Sequence, residues 1–130
     1  MNTTVVHEKC FTPPEANLML PLIRRIVADI TKTSREMRMI GRCPNRGIPV
    51  LELYKRHNVK QGEFIGELSA LGCTYKDWGF GVGHVTFPGK INEQPVMLCW
   101  KSEDPEVAHY HTYQENYAGR RRIPVELFPA

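Results

Sequence analysis

Residues 64–76, Phe64-Ile65-Gly66-Glu67-Leu68-Ser69-Ala70-Leu71-Gly72-Cys73-Thr74-Tyr75-Lys76, decide the fold because the spacing of apolar residues changes within them. Before Gly72 the apolar residues recur every three or four positions, which is the spacing of one helix face. Gly72 stands where glycine commonly ends a helix. After it come short β-rich runs separated by turn residues, which predict strands. The chain therefore divides into a helical part and a strand part.

The first helix is predicted to begin at Thr12. Thr12-Pro13-Pro14-Glu15 is a capping box, in which a hydroxyl and a carboxylate each accept a hydrogen bond from the other residue's backbone N–H. From Met19 to Ile40 the apolar residues follow a heptad-like spacing, which predicts a helix that packs on another helix. Pro21 has no N–H to donate, so we expect a kink there.

A second helical pattern runs over residues 50–71, after a connection at residues 41–49 that is rich in glycine and proline. Gly62 weakens the middle of this helix by roughly 1 kcal/mol relative to alanine, so a break there is an alternative. Two amphipathic helices joined by a short connection favour an antiparallel hairpin. We place this helical hairpin at residues 11–72.

The strand part covers residues 73–130 and ends in a C-terminal tail. Its β-rich runs, at residues 73–76, 82–87, 95–101 and 106–112, predict about four short strands. Consecutive short strands form an antiparallel meander, and the helices can cover its apolar face. We therefore predict a single α+β domain over residues 1–130, a long two-helix hairpin packed on a small antiparallel sheet.

The composition excludes several classes of protein. Of the 130 residues, 42% are hydrophobic and 24% are charged, and the net charge is +3, which indicates a folded chain that permits an anionic partner. The N-terminus has no basic segment followed by an apolar run, and no stretch reaches the ~20 apolar residues of a membrane span. The four cysteines never form a Cys-x-x-Cys pair, so we expect reduced thiols in a cytoplasmic protein.

Two histidines point to a metal site. His109 and His111 are two residues apart on the fourth predicted strand, so both project from one face. Together with the Cys99 thiol or the Glu106 carboxylate they form a ligand set for a divalent metal such as zinc. The alternative carboxylates are Asp77 and Asp104. Half-exposed histidines without a metal are the favoured interpretation, because metal sites usually show tighter ligand spacing.

Cys99 is also a candidate nucleophile, provided that a histidine lies close enough to lower the pKa of its thiol. His111 is one such histidine, and His84 shares a face with Cys99 if the chain folds back at Pro88-Gly89. The apolar run Leu98-Cys99-Trp100 favours a core role for the cysteine instead.

Basic residues gather in two clusters that permit binding to a phosphate backbone. The first cluster comprises Arg24, Arg25, Lys32, Arg35, Arg38 and Arg42, and the second is Arg120-Arg121-Arg122. Since no nucleic-acid motif accompanies them, a solvated helix face is the favoured interpretation. The glycines of residues 77–83 predict a hairpin loop rather than a phosphate loop, because a strand follows them. Trp78 and Phe80 in this loop are candidates for a pocket wall.

Several motifs, taken in order, resemble a bacterial family known only as a domain of unknown function, number twenty-two hundred and three. They are Phe11-Thr12-Pro13-Pro14-Glu15-Ala16-Asn17 with Leu20-Pro21-Leu22, Leu71-Gly72 with Lys76-Asp77, Phe87-Pro88, Leu98-Cys99-Trp100, and His111 with Ala118-Gly119-Arg120. The likeness extends from Phe11 to about Pro124. This family has no established activity, so the resemblance implies shared polar residues and no reaction. Those residues are Asn17, Asp77, Cys99, Trp100, His111 and Arg120.

The chain also departs from the pattern of the family. The family usually carries an aromatic residue where His109 stands, an aspartate where Gln114 stands and a glycine where Asn116 stands. The first departure weakens the His-x-His metal hypothesis and favours His111 over His109.

We therefore expect a non-catalytic ligand-binding or protein-interaction domain, with a polar pocket near His111, Trp100 and Arg120 to which Asp77 and Asn17 contribute. Arg120 would hold a small anionic ligand, because a guanidinium presents a planar fork of donors. A metal-dependent hydrolase is the alternative, so the residues leave open whether the protein is an enzyme. Weak nucleic-acid association ranks behind both. The long apolar seam predicts a homodimer formed by pairing of helical hairpins.

Overall fold

The computed structural model describes residues 10–44, 47–77, 83–115 and 119–128. Within these ranges two α-helices pack on a five-stranded antiparallel sheet, which confirms the α+β prediction. The elements are α1 (Pro13–Gly41), α2 (Ile48–Ala70), β1 (Thr74–Asp77), β2 (Gly83–Ile91), β3 (Gln94–Lys101), β4 (His109–His111), β5 (Arg121–Arg122) and a 3-10 turn (Val125–Leu127). The strands lie in the sheet in chain order. None of the helices in these ranges has the length and apolar character needed to cross a membrane.

The capping box forms as predicted and starts α1. The Thr12 hydroxyl accepts a hydrogen bond from the Glu15 amide at 3.3 Å, and the Glu15 carboxylate accepts one from the Thr12 amide at 2.8 Å. The helix then continues through Pro21, which lies on its exposed side. Likewise α2 continues through Gly62, so the alternative of a broken second helix is wrong.

The two helices form the antiparallel hairpin that the sequence predicts. Ser34 accepts a hydrogen bond from Gln61 at 2.6 Å, and Glu36 lies 3.2 Å from the His57 ring nitrogen. Because the partner number falls as the α1 number rises, the helices run in opposite directions. Polar pairs thus join the middle of the hairpin.

The core lies between α1 and one face of the sheet. Its members from α1 are Ala16, Leu20, Ile23, Ile26, Val27 and Ile30, and those from β2 and β3 are Val85, Phe87, Ile91, Val96, Leu98 and Trp100. Phe11 caps this core with its ring edge on Phe87, at 5.5 Å between ring centroids. We call the sheet face that packs on the helices the inner face and the opposite one the outer face.

The strand boundaries differ from the prediction at β2. Residues 88–92 were predicted as a turn, but β2 continues to Ile91, and the turn is made by Asn92 and Glu93, which have φ angles of 52° and 67°. Pro88 is tolerated because its carbonyl points to the strand edge, where it accepts the Phe11 amide at 2.8 Å. The N–H and C=O of one strand residue point the same way, so the N–H that proline lacks would lie on this edge.

The C-terminal strands also differ from the prediction. The fourth run was predicted over residues 106–112, but β4 begins only at His109, since the Val107 amide donates to the Asn17 side chain instead of to a strand. The prediction of about four strands missed β5. A pair of arginines has no apolar alternation, yet β5 pairs with β4 through Tyr110 and Arg121.

Gly89 allows the chain segment at Phe11 to approach β2 closely. A Cβ at Gly89 would lie 2.6 Å from the Phe11 carbonyl oxygen and 2.9 Å from the Leu98 side chain. We expect Gly89→Ala to destabilise the protein by about 1–3 kcal/mol, because the added methyl overpacks a region bounded by backbone. Urea denaturation measures this change. Gly62→Ala, which meets nothing within 4 Å, is the control and should stabilise slightly; equal effects of the two variants would contradict the packing described here.

Candidate functional site

A polar cluster is buried on the outer face of the sheet. Val85, Phe87, Leu98 and Trp100 belong to the core on the inner face. Since side chains alternate along a strand, their neighbours His84, Thr86 and Cys99 project from the outer face. All three are nevertheless buried. Burial of polar side chains on the face that the helices do not cover is what singles out this region.

The strand register places these side chains relative to one another. Cys99 lies between Thr86 on β2 and His109 on β4. His84 pairs with Lys101, and His111 pairs with Met97. His84, Cys99 and His111 therefore form a diagonal row across three strands, in which such neighbours are roughly 7–8 Å apart. Their exposed fractions are 3%, 0% and 8%.

Arg120 extends over this row. Its Nη1 donates to the Asp104 carboxylate at 3.3 Å, and the guanidinium also hydrogen-bonds the Cys99 thiol. The side chains of Arg120 and Asp104 are 17% and 12% exposed. The pair is thus largely shielded from water, where an ion pair is held more strongly than at an open surface.

Asp104 connects the site to α1. Its carboxylate accepts the Lys101 amide at 3.1 Å, and its carbonyl accepts the indole N–H of Trp100 at 3.0 Å. Arg24 of α1 donates to the carbonyls of Asp104 and Pro105 and stacks over the Trp100 ring at 5.8 Å. These bonds fix the loop after β3, and this loop in turn fixes Arg120.

Burial makes two groups of the row, His84 and Cys99, neutral at physiological pH. Burial, with the positive charge of Arg120 added to it, lowers the pKa of His84 from 6.5 to about 4. The same causes lower the pKa of His109. Burial raises the pKa of the Cys99 thiol, although the hydrogen bond from Arg120 acts in the opposite direction. The row therefore presents a neutral imidazole and a protonated thiol beside a permanent cation.

The loop after β4 fixes the orientation of His111. The Nδ1 atom of His111 lies 2.8 Å from the Thr112 carbonyl. A carbonyl only accepts, so Nδ1 carries a proton and donates a hydrogen bond to this carbonyl. Glu115 accepts hydrogen bonds from the Thr112 amide and hydroxyl, each at 3.1 Å, and its pKa is lowered chiefly by that amide. Arg121 pairs with Glu115 at 2.8 Å.

Comparison with known proteins now bears on these residues. Residues 9–123 match the family described as an uncharacterized conserved protein, DUF2203. The chain belongs to this family. The resemblance found in the sequence is thus confirmed, and the matched range contains the whole outer-face cluster. Neither a curated protein nor a solved structure matches the chain.

In this DUF2203 member, two of the predicted ligand-binding residues, His111 and Arg120, lie on the outer face. Trp100 does not border them, because it projects from the inner face into the core. Asn17 is also remote, since its amide donates to the Pro13 and Val107 carbonyls, each at 3.1 Å, and accepts the Val107 amide at 2.8 Å. It attaches α1 to the segment before β4.

The remaining predicted positions are separate from the row or lie outside the described residues. Glu106 is exposed and borders a groove of about 580 Å³ that Asn17 and Leu18 also line. The Asp77 side chain, and Trp78 and Phe80 with the glycines of that loop, lie outside the described residues. Gln114 is exposed, and Asn116 is likewise outside them.

The predicted metal ligands are only partly brought together. Cys99, His109 and His111 share the outer face, whereas Glu106 borders the groove lined by Asn17 and Leu18 of α1. Across residues 10–44, 47–77, 83–115 and 119–128, no group of three His, Cys, Asp or Glu side chains is placed to hold a metal ion. The zinc site stays a prediction.

Sequence reasoning underestimated Asp104 and His84. The sequence placed His84 on one face with Cys99 only if the chain folds back at Pro88-Gly89, and it did not show that both side chains are buried near Arg120. Asp104 was an alternative metal ligand in the turn 102–105, with no sign of its bond to Arg120. Contacts between residues 16 positions apart leave no trace in local spacing.

Proposed function

We propose that this protein is a binding protein whose outer-face site holds a small anion, a phosphate or a carboxylate. The observation that carries the proposal is the Arg120 guanidinium, held by Asp104 and Cys99 beside the buried His84. A guanidinium has five N–H donors in a planar fork that matches both kinds of anion. It can therefore contact an anion while Asp104 keeps it in place.

The charges around the site favour an anion over a cation. Lys76 pairs with His84 across β1 and β2, and Arg122 pairs with His109 across β4 and β5. Arg120 and Lys76 both lower the pKa of His84, and Asp104 opposes them. Permanent positive charge therefore exceeds negative charge at the row.

A buried nitrogen atom of His109 also supports a polar ligand at this site. Within the described part of the chain, the Nδ1 atom of His109 is buried without a hydrogen-bond partner. Buried polar atoms are nearly always satisfied in native proteins. A small polar ligand on the outer face would supply such a partner.

Binding is favoured over catalysis by the protonation states. A thiolate is the nucleophilic form of cysteine, but burial raises the pKa of the Cys99 thiol. A general base works best with a pKa near the operating pH, and the pKa of His84 is about 4. Both groups therefore act as neutral hydrogen-bonding partners at pH 7.

The arginine clusters do not favour nucleic acid. Three arginines of the clusters are engaged within the protein: Arg24 with the carbonyls of Asp104 and Pro105, Arg120 with the Asp104 carboxylate, and Arg121 with the Glu115 carboxylate. The electrostatic term of nucleic-acid binding depends on cations that can reach the phosphates.

Thermal denaturation with inorganic phosphate, pyrophosphate, citrate and malonate tests the proposal. We expect one of these probes to raise the melting temperature, since a ligand at a hundred times its Kd stabilises by about 2.7 kcal/mol. Arg120→Ala should abolish that shift, and Arg120→Lys should reduce it, because lysine keeps the charge without the fork. Arg35→Ala, an exposed arginine on α1, removes the same charge and should leave the shift intact. A shift that survives Arg120→Ala would contradict the proposal.

A further inference from the structure

The helical hairpin continues past the core as an arm, which we define as residues 34–41 of α1 and residues 50–61 of α2. The last buried residue of α1 is Thr33, and in α2, every residue of which is described, only Leu68 is buried. Polar side chains join the two helices within the arm. Segments with few buried apolar contacts open locally at a small cost in free energy. The polar contacts are therefore a large part of what keeps the arm closed.

Both ring nitrogens of His57, in the middle of the arm, face oxygen atoms that accept hydrogen bonds. Nδ1 lies 2.9 Å from the carbonyl oxygen of Leu53, one turn earlier on α2, and Nε2 lies 3.2 Å from Oε1 of Glu36 on α1. A carbonyl and a carboxylate have no proton to donate, so each nitrogen has to carry one. A neutral imidazole has a single N–H. The geometry is therefore that of an imidazolium that joins the two helices.

The alternative position for the second proton is the carboxyl group of Glu36. The side chain of Glu36 is 44% exposed and that of His57 is 21% exposed. Water stabilises the ionised form of an exposed carboxyl group at neutral pH, so we assign the proton to the imidazole. In either assignment the contact holds one proton more than a neutral ring beside a carboxylate does.

We propose that His57 is a proton-dependent clamp, which holds the arm closed while both ring nitrogens are protonated and loosens it when one proton passes to the solvent. Loss of the Nε2 proton leaves a lone pair opposite the Glu36 carboxylate, and loss of the Nδ1 proton leaves one opposite the Leu53 carbonyl. Either loss removes one of the two hydrogen bonds of the ring. Imidazole rings usually change charge between about pH 5 and pH 8, so we expect the arm to respond in this range.

Charged residues of both signs surround the clamp on the elements that pack together there. Those on neighbouring positions of the helices, and on β1, which also contacts α2, are Lys32 and Glu36 of α1, Arg56 and Lys60 of α2, and Lys76 and Asp77 of β1. The three helix cations are exposed, so water and salt screen their effect on the ring. Glu36 is the charged group in contact with His57 and is therefore the partner to change in a test.

Amide hydrogen exchange of the full chain at pH 6.0 and pH 8.0, corrected for the intrinsic pH dependence of exchange, tests the clamp. We expect the amides of residues 53–61 to be protected about two- to fivefold more at pH 6.0, the effect of a partly exposed ion pair. His57→Gln should abolish this difference, because it removes the titrating ring. Glu36→Gln should abolish it too, because an amide group can accept from or donate to the ring. Glu67→Gln, a matched change of an exposed carboxylate near the end of α2, should keep the difference.

Circular dichroism of each variant establishes that its helices are intact, and the amides of β2 and β3 are the internal reference, since we expect them not to share the gain in protection. Wild-type protection of the arm that is equal at both pH values, or greater at pH 8.0, would overturn the proposal. A difference that persists in His57→Gln would also overturn it, because another group would then be the source. The outcome does not depend on anion binding, because no anion is added and the arm is apart from the outer face of the sheet.

Discussion

Acidification from pH 7.5 to pH 4.5 should remove about 2.5 kcal/mol of stability that depends on His84 alone. The pKa of this imidazole is about 4 in the folded chain, against 6.5 when unfolded. Between these two values the unfolded chain binds a proton that the folded chain does not. His84 therefore has no effect on the free energy of unfolding well above pH 6.5. As the pH drops through 6.5 towards 4, this free energy falls.

Urea denaturation at the two pH values measures this loss, and His84→Gln isolates its source. The variant should be less stable at pH 7.5, because it disturbs a buried side chain, but it should lose about 2.5 kcal/mol less than wild type on acidification. His109 and Glu115, whose pKa values are also lowered, act in the same direction in both proteins and cancel. His57→Gln is the control on α2. Equal acid sensitivity of His84→Gln and wild type would show that His84 is not the buried group described here.

Removal of the Asp104 carboxylate should have the largest effect on stability. Asp104→Ala leaves the largely buried guanidinium of Arg120 without this partner and also removes the bond to the Lys101 amide. Breaking a buried ion pair from one side costs roughly 3–5 kcal/mol. We expect a loss of this size in urea denaturation, and loss of the anion-induced melting shift, because Arg120 is then no longer held over the row.

The double variant Asp104→Ala/Arg120→Ala completes a double-mutant cycle that measures the interaction energy between these two side chains. It should be more stable than the sum of the two single losses implies, with a coupling of about 2 kcal/mol. Glu103→Ala is the matched control, since its exposed carboxylate pairs with Lys101 at 3.6 Å and surface pairs contribute little. Additive effects of Asp104 and Arg120 would contradict their pairing.

Local sequence signals predicted the helices well. The capping box fixed the start of α1, and the glycine after the apolar pattern fixed the end of α2, because both are decided by bonds within a few residues. The strands were predicted less well where distant contacts decide. Pro88 continues β2 only because Phe11 bonds to its edge, and β4 starts late because Asn17 takes the Val107 amide.

The site was predictable in its parts and not in its assembly. Alternation placed His109 and His111 on one face, and the family resemblance singled out Arg120. Whether two side chains on different strands lie on the same face depends on the strand register, and the sequence alone does not give that register. Trp100 was therefore assigned to the pocket although it lies in the core, and the bond between Arg120 and Asp104 was not foreseen.

The most direct test of the outer-face site is an NMR titration of the imidazole resonances with the anion that gives the largest melting shift. We predict that the signals of His84, His109 and His111 move together with one Kd, while the His57 signal on α2 stays unchanged. Saturating anion that leaves the first three signals in place, or that moves His57 equally, would contradict the claim that these rings and Arg120 form one binding site.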